Sequence, residues 1–456
     1  MRKTIVIVGA GFSGTVLAAN LLRNPTARTI DVVLIERGPV MGRGAAYAAR
    51  DFPYLLNVPA ARLSADSSDP SQFLRYARRS LPDAGGEDFL PRALYGEYLQ
   101  EVLLQAERAA PARARLQRVF GEVTAIVRSE HGKPMTAHLK GREPIFADAI
   151  VLALGNPPQA EPPWAAQVLR HGAFRQDPWD LPRTLSAEHS VLIIGNGLTM
   201  VDVASALCRD GERGPTLHTI SRRGLLPQPQ TAFRAGAVRG GGEALLAGAG
   251  SLTKLLKASR AMVREVEKSG GDWREAITCI RGLAPELWRR LPEAERRRFV
   301  RHLQVHWDIY RHRLPPQMMA RIEQLRAAGR LHVGAGRIQR IVPAGHRLQV
   351  SWRARGAAET QTLMADLVVN ATGPNYAIRQ TADPLMSALR AAGLVSADAL
   401  QLGIRTGRYG ACLDAAGRAA EDIFYLGPML RADHWEATAA AELRDHAERL
   451  AAHLAG

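Results

Sequence analysis

The turn VIVGAGFSG at residues 6–14 constrains this chain more than any other stretch. Gly9, Gly11 and Gly14 form a G-x-G-x-x-G directly after the apolar run TIVIV and at the start of a helical pattern from Ser13 to Leu22. The first glycine permits a tight turn, the second lets the backbone approach a pyrophosphate, and the third lets helix and strand pack closely. The helix start, with Ser13 in its first turn, presents free N–H groups and the positive end of its dipole to an anion. A second apolar strand, IDVVLIE at residues 30–36, ends on Glu36, 27 positions after Gly9. A carboxylate there accepts hydrogen bonds from ribose hydroxyls, so strand, turn, helix and strand make one dinucleotide-binding βαβ unit.

The pattern returns at VLIIGNGLTMVDVA, residues 191–204. Gly195 and Gly197 repeat the turn and Thr199 lies in the first helical turn, but Met200 replaces the third glycine, which predicts looser helix packing. The next strand, TLHTIS, runs into Arg222 and Arg223 where the acid would stand. Guanidinium groups suit a 2′-phosphate, although cations after a strand are also ordinary surface residues. Two such sites in one chain most simply pass a hydride from one to the other. The first suits FAD and the second NADPH.

A chain of 456 residues exceeds one ordinary core and predicts two or three domains. With 46% hydrophobic and 23% charged residues it has the composition of a soluble globular protein. Its apolar runs are too short to span a bilayer, and the N-terminal apolar stretch reads as a strand and not as a signal peptide, which predicts a cytoplasmic protein. Cys208, Cys279 and Cys412 lie far apart with no Cys-x-x-Cys pair, against dithiol redox chemistry and against a cysteine zinc site. The net charge of +16 is largely arginine, and no nucleic-acid-binding motif accompanies it. A small-molecule substrate is therefore the expected partner; the oligomeric state is not encoded in any pattern.

The fold class predicted is α/β, with two Rossmann-like domains, the second inserted in the first, plus a helical insert. Residues 1–160 form the first part of the FAD domain, 161–365 the NAD(P)H domain with its helical insert at about 251–330, and 366–456 the second part of the FAD domain. Residues 68–110 are predicted helical with a loop near Pro82 to Gly86, VFGEVTAIVR with PMTAHLKG a small antiparallel meander, AIVLALGN (149–156) a buried strand, and NPPQAEPPW a connector. A glycine-rich loop spans residues 235–250, and a long amphipathic helix begins near Ala437.

ALGN (153–156) and NATGPN (370–375) resemble the paired strands that bracket the inserted domain in flavoproteins with two dinucleotide-binding domains, and FYLGP (424–428) resembles their late strand to the flavin. More narrowly, GRGAAY (42–47), LLNVPAARLSA (55–65), FLPRALYGEYL (89–99), SRRGLLPQ (221–228) and HWEATAAAELR (434–444) resemble the FAD/NAD(P)-binding family that includes flavin-dependent urate hydroxylase and L-aspartate N-monooxygenase types. The resemblance implies FAD and NADPH as cofactors and a monooxygenase acting on a small metabolite through a flavin C4a-hydroperoxide. It places Arg43, Gly44, Asn57, Gly155 and Gly427 near the FAD, and the backbone of Val123 at the adenine. From its own setting, Arg43 is either a pyrophosphate cation or a solvated loop arginine. Gly427-Pro428 replaces the Gly-Asp of many relatives, and the linker RHGAFRQDPWDL (170–181) lacks the class B monooxygenase fingerprint.

The remaining candidates are weaker. His434, after FYLGP, is either a proton shuttle at the flavin or a helix cap, and no catalytic residue is otherwise singled out. Arg311, His312 and Arg313 beside Trp307 and Tyr310 form either an anion-binding face or a solvated helix surface. His302 and His306 have i, i+4 spacing but no accompanying carboxylate motif, so no metal is expected. Two other readings stay open: a reductase passing electrons to a protein or quinone, and a non-catalytic redox sensor.

Overall fold

The computed structural model describes residues 2–23, 29–128, 134–209, 214–231 and 241–456. Strand β1 (Arg2–Val8), helix α1 (Phe12–Arg23) and strand β2 (Thr29–Glu36) form the first unit, the strands pairing parallel from Arg2 opposite Thr29 to Val8 opposite Ile35. Their apolar residues run without alternation because both faces of the sheet are covered; Ile5, Val6 and Ile7 are fully buried. Helices α2 (Gln72–Ala77) and α3 (Arg92–Arg108) follow. Strand β3 (Ala114–Phe120) then pairs parallel with β2 at the sheet edge. Its first-sheet pairing corrects the expectation that VFG opens the meander: the charged ARLQRVF suits an edge strand, and Gly121 ends it. The meander itself is β4 (Val123–Val127), β5 (Met135–Leu139) and β6 (Ile145–Ala147), after which β7 (Ala149–Leu152) returns beside β1.

The second sheet begins with β8 (Phe174–Arg175) and holds β9 (Ser190–Ile194), α4 (Leu198–Leu207) and β10 (Thr216–Ser221) as the second unit. Helices α5 (Gly241–Ala247), α6 (Leu252–Lys268), α7 (Trp273–Arg290), α8 (Glu293–His302) and α9 (Gln304–Arg311) make the insert. Part of the glycine-rich loop, 235–240, lies outside the described residues, and its remainder opens α5. Helix α10 (Pro316–Ala327) differs from the expected insert: its Met318, Ile322 and Leu325 join the core of Met200, Val201 and Val203, as the crossover helix before β11 (Leu331–Ala344). Strands β12 (Arg347–Ala354) and β13 (Thr360–Ala365) form an antiparallel flap. Strand β14 (Leu367–Asn370) pairs parallel with β9, so residues 367–370 lie in the second sheet and not beyond a boundary at 366.

The chain then re-enters the first layer through α11 (Pro384–Ala391), β15 (Ala411–Leu413), β16 (Ala419–Tyr425) and α12 (Ala440–Ala455). The sheets are β15-β16-β7-β1-β2-β3, β13-β12-β11-β10-β9-β14-β8 and β4-β5-β6. No described helix is long and apolar enough to cross a membrane.

Candidate functional site: two glycine turns and the layer between them

At the first turn Gly9 has φ +105°, and a Cβ on it would lie 2.3 Å from the Ala153 carbonyl oxygen at the end of β7. The Gly9 N–H donates to Ile35 O at 2.8 Å, and Ala153 N–H to Val8 O at 2.8 Å, so three strand ends are tied at one point. A Cβ on Gly14 would sit 1.9 Å from Gly9 O, which is why α1 needs glycine at that position. Ser13 is buried in the first turn of α1. Both Glu36 oxygens accept backbone N–H groups, Oε2 from Ala10 and Oε1 from Gly38, each at 2.8 Å. The carboxylate therefore holds the turn's shape while retaining lone pairs for a further donor.

Gly11 faces the second loop: its Cβ would meet only the Gly44 Cα, at 3.6 Å. Gly42 N–H donates to Ala10 O at 2.7 Å, which seats residues 42–47 over the turn. Arg43 is held there by Gln100 Oε1 at 3.0 Å and Glu97 Oε1 at 3.7 Å, both on α3. Asn57 is half-buried in the following loop, and Val123 is buried at the start of β4. Gly155, at φ +70°, has nothing within 4 Å of a Cβ.

The second turn repeats these relations. Gly195 has φ +113°, its Cβ would meet Ala371 O at 2.4 Å, and its N–H donates to Ile220 O at 2.9 Å. Gly197 caps α4 and faces open space, as does Gly373 at φ +86°. Thr199 is half-buried in the first turn, and Met200 is fully buried in the core, filling the space a close helix contact would take. Asn196, between the two glycines, is 5% exposed, and neither atom of its amide has a hydrogen-bond partner among the described residues. Strand register puts Ser221, and not Arg222, in the place of Glu36, with Arg222 exposed one residue on. Arg223 Nη1 lies 2.7 Å from His306 Nε2; burial, then Arg223 and Arg355, hold that imidazole below its ordinary pKa and so neutral.

Other contacts join the two halves. Arg92 at the start of α3 pairs with the buried Asp202 of α4 at 2.8 Å, and burial raises that carboxyl to about 6 against the pull of Arg92. Trp179 of the linker packs edge-on against Tyr54 at 5.0 Å and lies under Arg50 at 4.8 Å, enclosing a small cavity with Ala45, Ala46 and Arg92.

At the late strand, the extended Gly427 stands over Tyr425, whose hydroxyl would meet its Cβ at 2.7 Å, and begins a 3₁₀ helix at Pro428–Ala432. His434 packs against His446 of α12, ring centroids 4.7 Å apart, and its pKa is pushed down by burial. The insert docks on this segment through Trp288, which packs at a tilt against Trp435, ring centroids 4.6 Å apart, and donates to Ala432 O at 2.8 Å. Beside it Glu436, 3% exposed, accepts from Trp307 Nε1 at 3.1 Å and from Arg311 Nε. Arg431 lies over Trp435 at 4.0 Å and over Tyr376 at 5.7 Å, and the Tyr376 hydroxyl donates to Asn156 Oδ1, next to Gly155, at 3.1 Å.

Sequence reasoning did not single out Ala153, Ala371, Asn196, Tyr376, Arg431 or Glu436. The repeated Ala-x-Gly of ALG and ATG was the available signal for the first two. Arg431 and Glu436 become visible only once the insert and the C-terminal segment meet.

Residues 6–157, about a third of the chain, match the family model described as FAD-NAD(P)-binding. No curated protein matches by sequence. Among solved structures, the L-lysine 6-monooxygenase of Pseudomonas syringae is similar over 99% of both chains at 16% identity and a TM-score of 0.66. The ornithine hydroxylase of Pseudomonas aeruginosa is similar at 16% identity and TM-score 0.64, covering 100% of this chain and 99% of that one. The ornithine N-hydroxylase of a Kutzneria species, solved with reduced FAD, NADP+ and L-ornithine, has 16% identity, TM-score 0.61 and the same coverage. The N-terminal third thus matches an FAD/NAD(P)-binding family, and the whole chain has the fold of flavoproteins with two dinucleotide-binding domains.

Proposed function

We propose that this chain is an oxidoreductase that binds FAD at the first glycine turn and NADPH at the second, and uses them to oxygenate a small metabolite. The observation that carries this reading is the duplicated turn, in which Gly9 with Ala153 and Gly195 with Ala371 share one geometry. When bound, FAD accepts a hydride from NADPH and supplies the oxygen chemistry. The chain's own tasks are binding and exclusion of water. Gly9, Gly11, Ser13, Arg43 and Gly44 hold the FAD pyrophosphate, with Gly14 seating α1 against the turn, Glu36 holds its ribose, and Asn57, Val123, Gly155 and Gly427 the rest of the cofactor. Gly195, Gly197 and Thr199 hold the NADPH pyrophosphate, and Arg222 and Arg223 its 2′-phosphate. The orphaned Asn196 amide and the open faces of Gly155, Gly197 and Gly373 fit a ligand along both turns.

The domain division follows the strands: an FAD domain formed by residues 1–160 and the segment after β14, with the NADPH domain between them. Burial raises the Cys208 thiol to about 11 and Cys412 to about 12, so neither is poised for disulfide exchange. This favours oxygenation over thiol reduction, and three separate thiols fit a reducing, cytoplasmic setting. Likeness to amine N-monooxygenases over the full length directs the reaction class, as an analogy of fold. Oxygen uptake coupled to NADPH oxidation, measured across a panel of small amines and amino acids, tests it. The reading expects NADPH oxidation to accelerate with particular panel members only; equal rates with every compound, and faster ones with an artificial acceptor without oxygen, contradict it.

A further inference from the structure

The layer between α7, α9 and the C-terminal segment holds more guanidinium groups than carboxylates to receive them. Glu436 is already engaged by Trp307 Nε1 and Arg311 Nε, with Arg281 Nε 3.5 Å away. Arg281 also donates to Glu442. After these pairings the Arg311 Nη2 and Arg431 Nε atoms remain buried with no acceptor among the described residues. Arg311 is the more telling of the two, since its side chain is only 9% exposed. A buried donor left unpaired is destabilising, more so when charged, so native interiors rarely keep one without a ligand or water to receive it.

The surrounding charges point the same way. Asp308 is a further acid of the layer, and burial raises its pKa above the ordinary carboxyl value despite Arg431 nearby. Arg313 is lowered to about 10 by burial and by Arg274, Arg311, Arg62 and Arg281. His312 is held neutral by burial and by Arg311, Arg431 and Arg281. Arg274 does not compete for a ligand, because Asp272 and Pro229 O occupy it. The layer is reachable, since the Arg281 side chain stays 33% exposed. It also adjoins the open Gly155 after β7, through Arg431 over Tyr376 and Tyr376 on Asn156.

We propose that Arg311 and Arg431 receive an oxyanion of the substrate, a carboxylate or a phosphate, between the helical insert and the C-terminal segment. The inference rests on the oxidoreductase reading for its ligand being the substrate. Two acceptor oxygens match the planar donor edge of a guanidinium, and both proposed chemistries supply them. A bare cationic diamine has no acceptor to offer these donors.

Isothermal titration of the FAD-loaded protein with glutarate, with inorganic phosphate and with cadaverine tests this without any turnover. Glutarate or phosphate should bind, whichever source the layer fits, and Arg431→Gln and Arg311→Gln should each weaken that binding at least about tenfold. Arg311→Gln also loosens Glu436, so Arg431→Gln is the decisive variant, and Arg431→Lys should recover part of the affinity. No binding of either anion, unchanged affinity in Arg431→Gln, or tighter binding of cadaverine than of both anions would overturn the proposal. Reduction by NADPH without anion binding would sink this inference alone. Anion binding that survives a failure of NADPH reduction would sink only the oxidoreductase reading.

Discussion

The Ala153 carbonyl oxygen stands 2.3 Å from where a Cβ on Gly9 would lie. Ala371 holds the same relation to Gly195, at 2.4 Å. In each domain a crossover strand therefore ends against the back of the glycine turn, and the turn can be built with no other residue. The positive φ alone would cost another residue about 1–3 kcal/mol, before the steric clash. Gly9→Ala is expected to yield protein that does not retain FAD. Gly195→Ala should keep FAD but raise the Kd for NADPH at least about tenfold. Flavin absorbance after gel filtration and an anaerobic NADPH titration read the two outcomes separately.

The proposed 2′-phosphate role of Arg222 and Arg223 predicts a preference for NADPH over NADH. Charge-assisted hydrogen bonds to a phosphate are worth about 1.5–3 kcal/mol each. Replacing both by alanine should raise the KM for NADPH by roughly tenfold or more, with the KM for NADH little changed. Equal effects on both cofactors would remove these arginines from the 2′-phosphate.

The βαβ units were legible because apolar strands, glycine turns and helix starts are local and adjacent in sequence. The place of the acid was harder to read. Counting 27 residues from Gly195 lands on Arg222, whereas hydrogen bonding gives Ser221 the position that Glu36 holds in the first unit, because the second unit is one residue shorter between its turn and its strand end. The split of α10 from the insert was illegible for a different reason: Met318, Ile322 and Leu325 follow the same helical period whichever core receives them. Glu436 gains meaning only through partners more than a hundred residues away, Trp307 and Arg311.

Asp202 sets a pH dependence. Its folded pKa of about 6 lies above the ordinary 3.8, so between about pH 4 and 6 the folded chain keeps a proton that the unfolded chain has lost. Stability contributed at this site therefore falls as pH rises through that window, by roughly 3 kcal/mol in all, and is level above it. Thermal melts of the wild type and Asp202→Asn across pH 4–7 should show the wild type losing ground to the variant up to about pH 6. Parallel curves would contradict the assignment.

Trp288 anchors the insert by burial, by its tilted ring contact with Trp435 and by its hydrogen bond to Ala432 O. Trp288→Ala should cost roughly 3–5 kcal/mol, as such core truncations do. The loss should fall on the docking of α6 to α8 and not on β1 and α1. Hydrogen exchange resolved by segment checks this, with faster exchange expected in the insert and unchanged exchange in the first sheet.

The central claim, two dinucleotide sites that exchange a hydride, is tested most directly by adding NADPH to the FAD-loaded protein without oxygen. The flavin's visible absorbance should bleach stoichiometrically, faster with NADPH than with NADH, and return on admission of air. Protein that holds FAD but keeps its colour under excess NADPH would contradict the account.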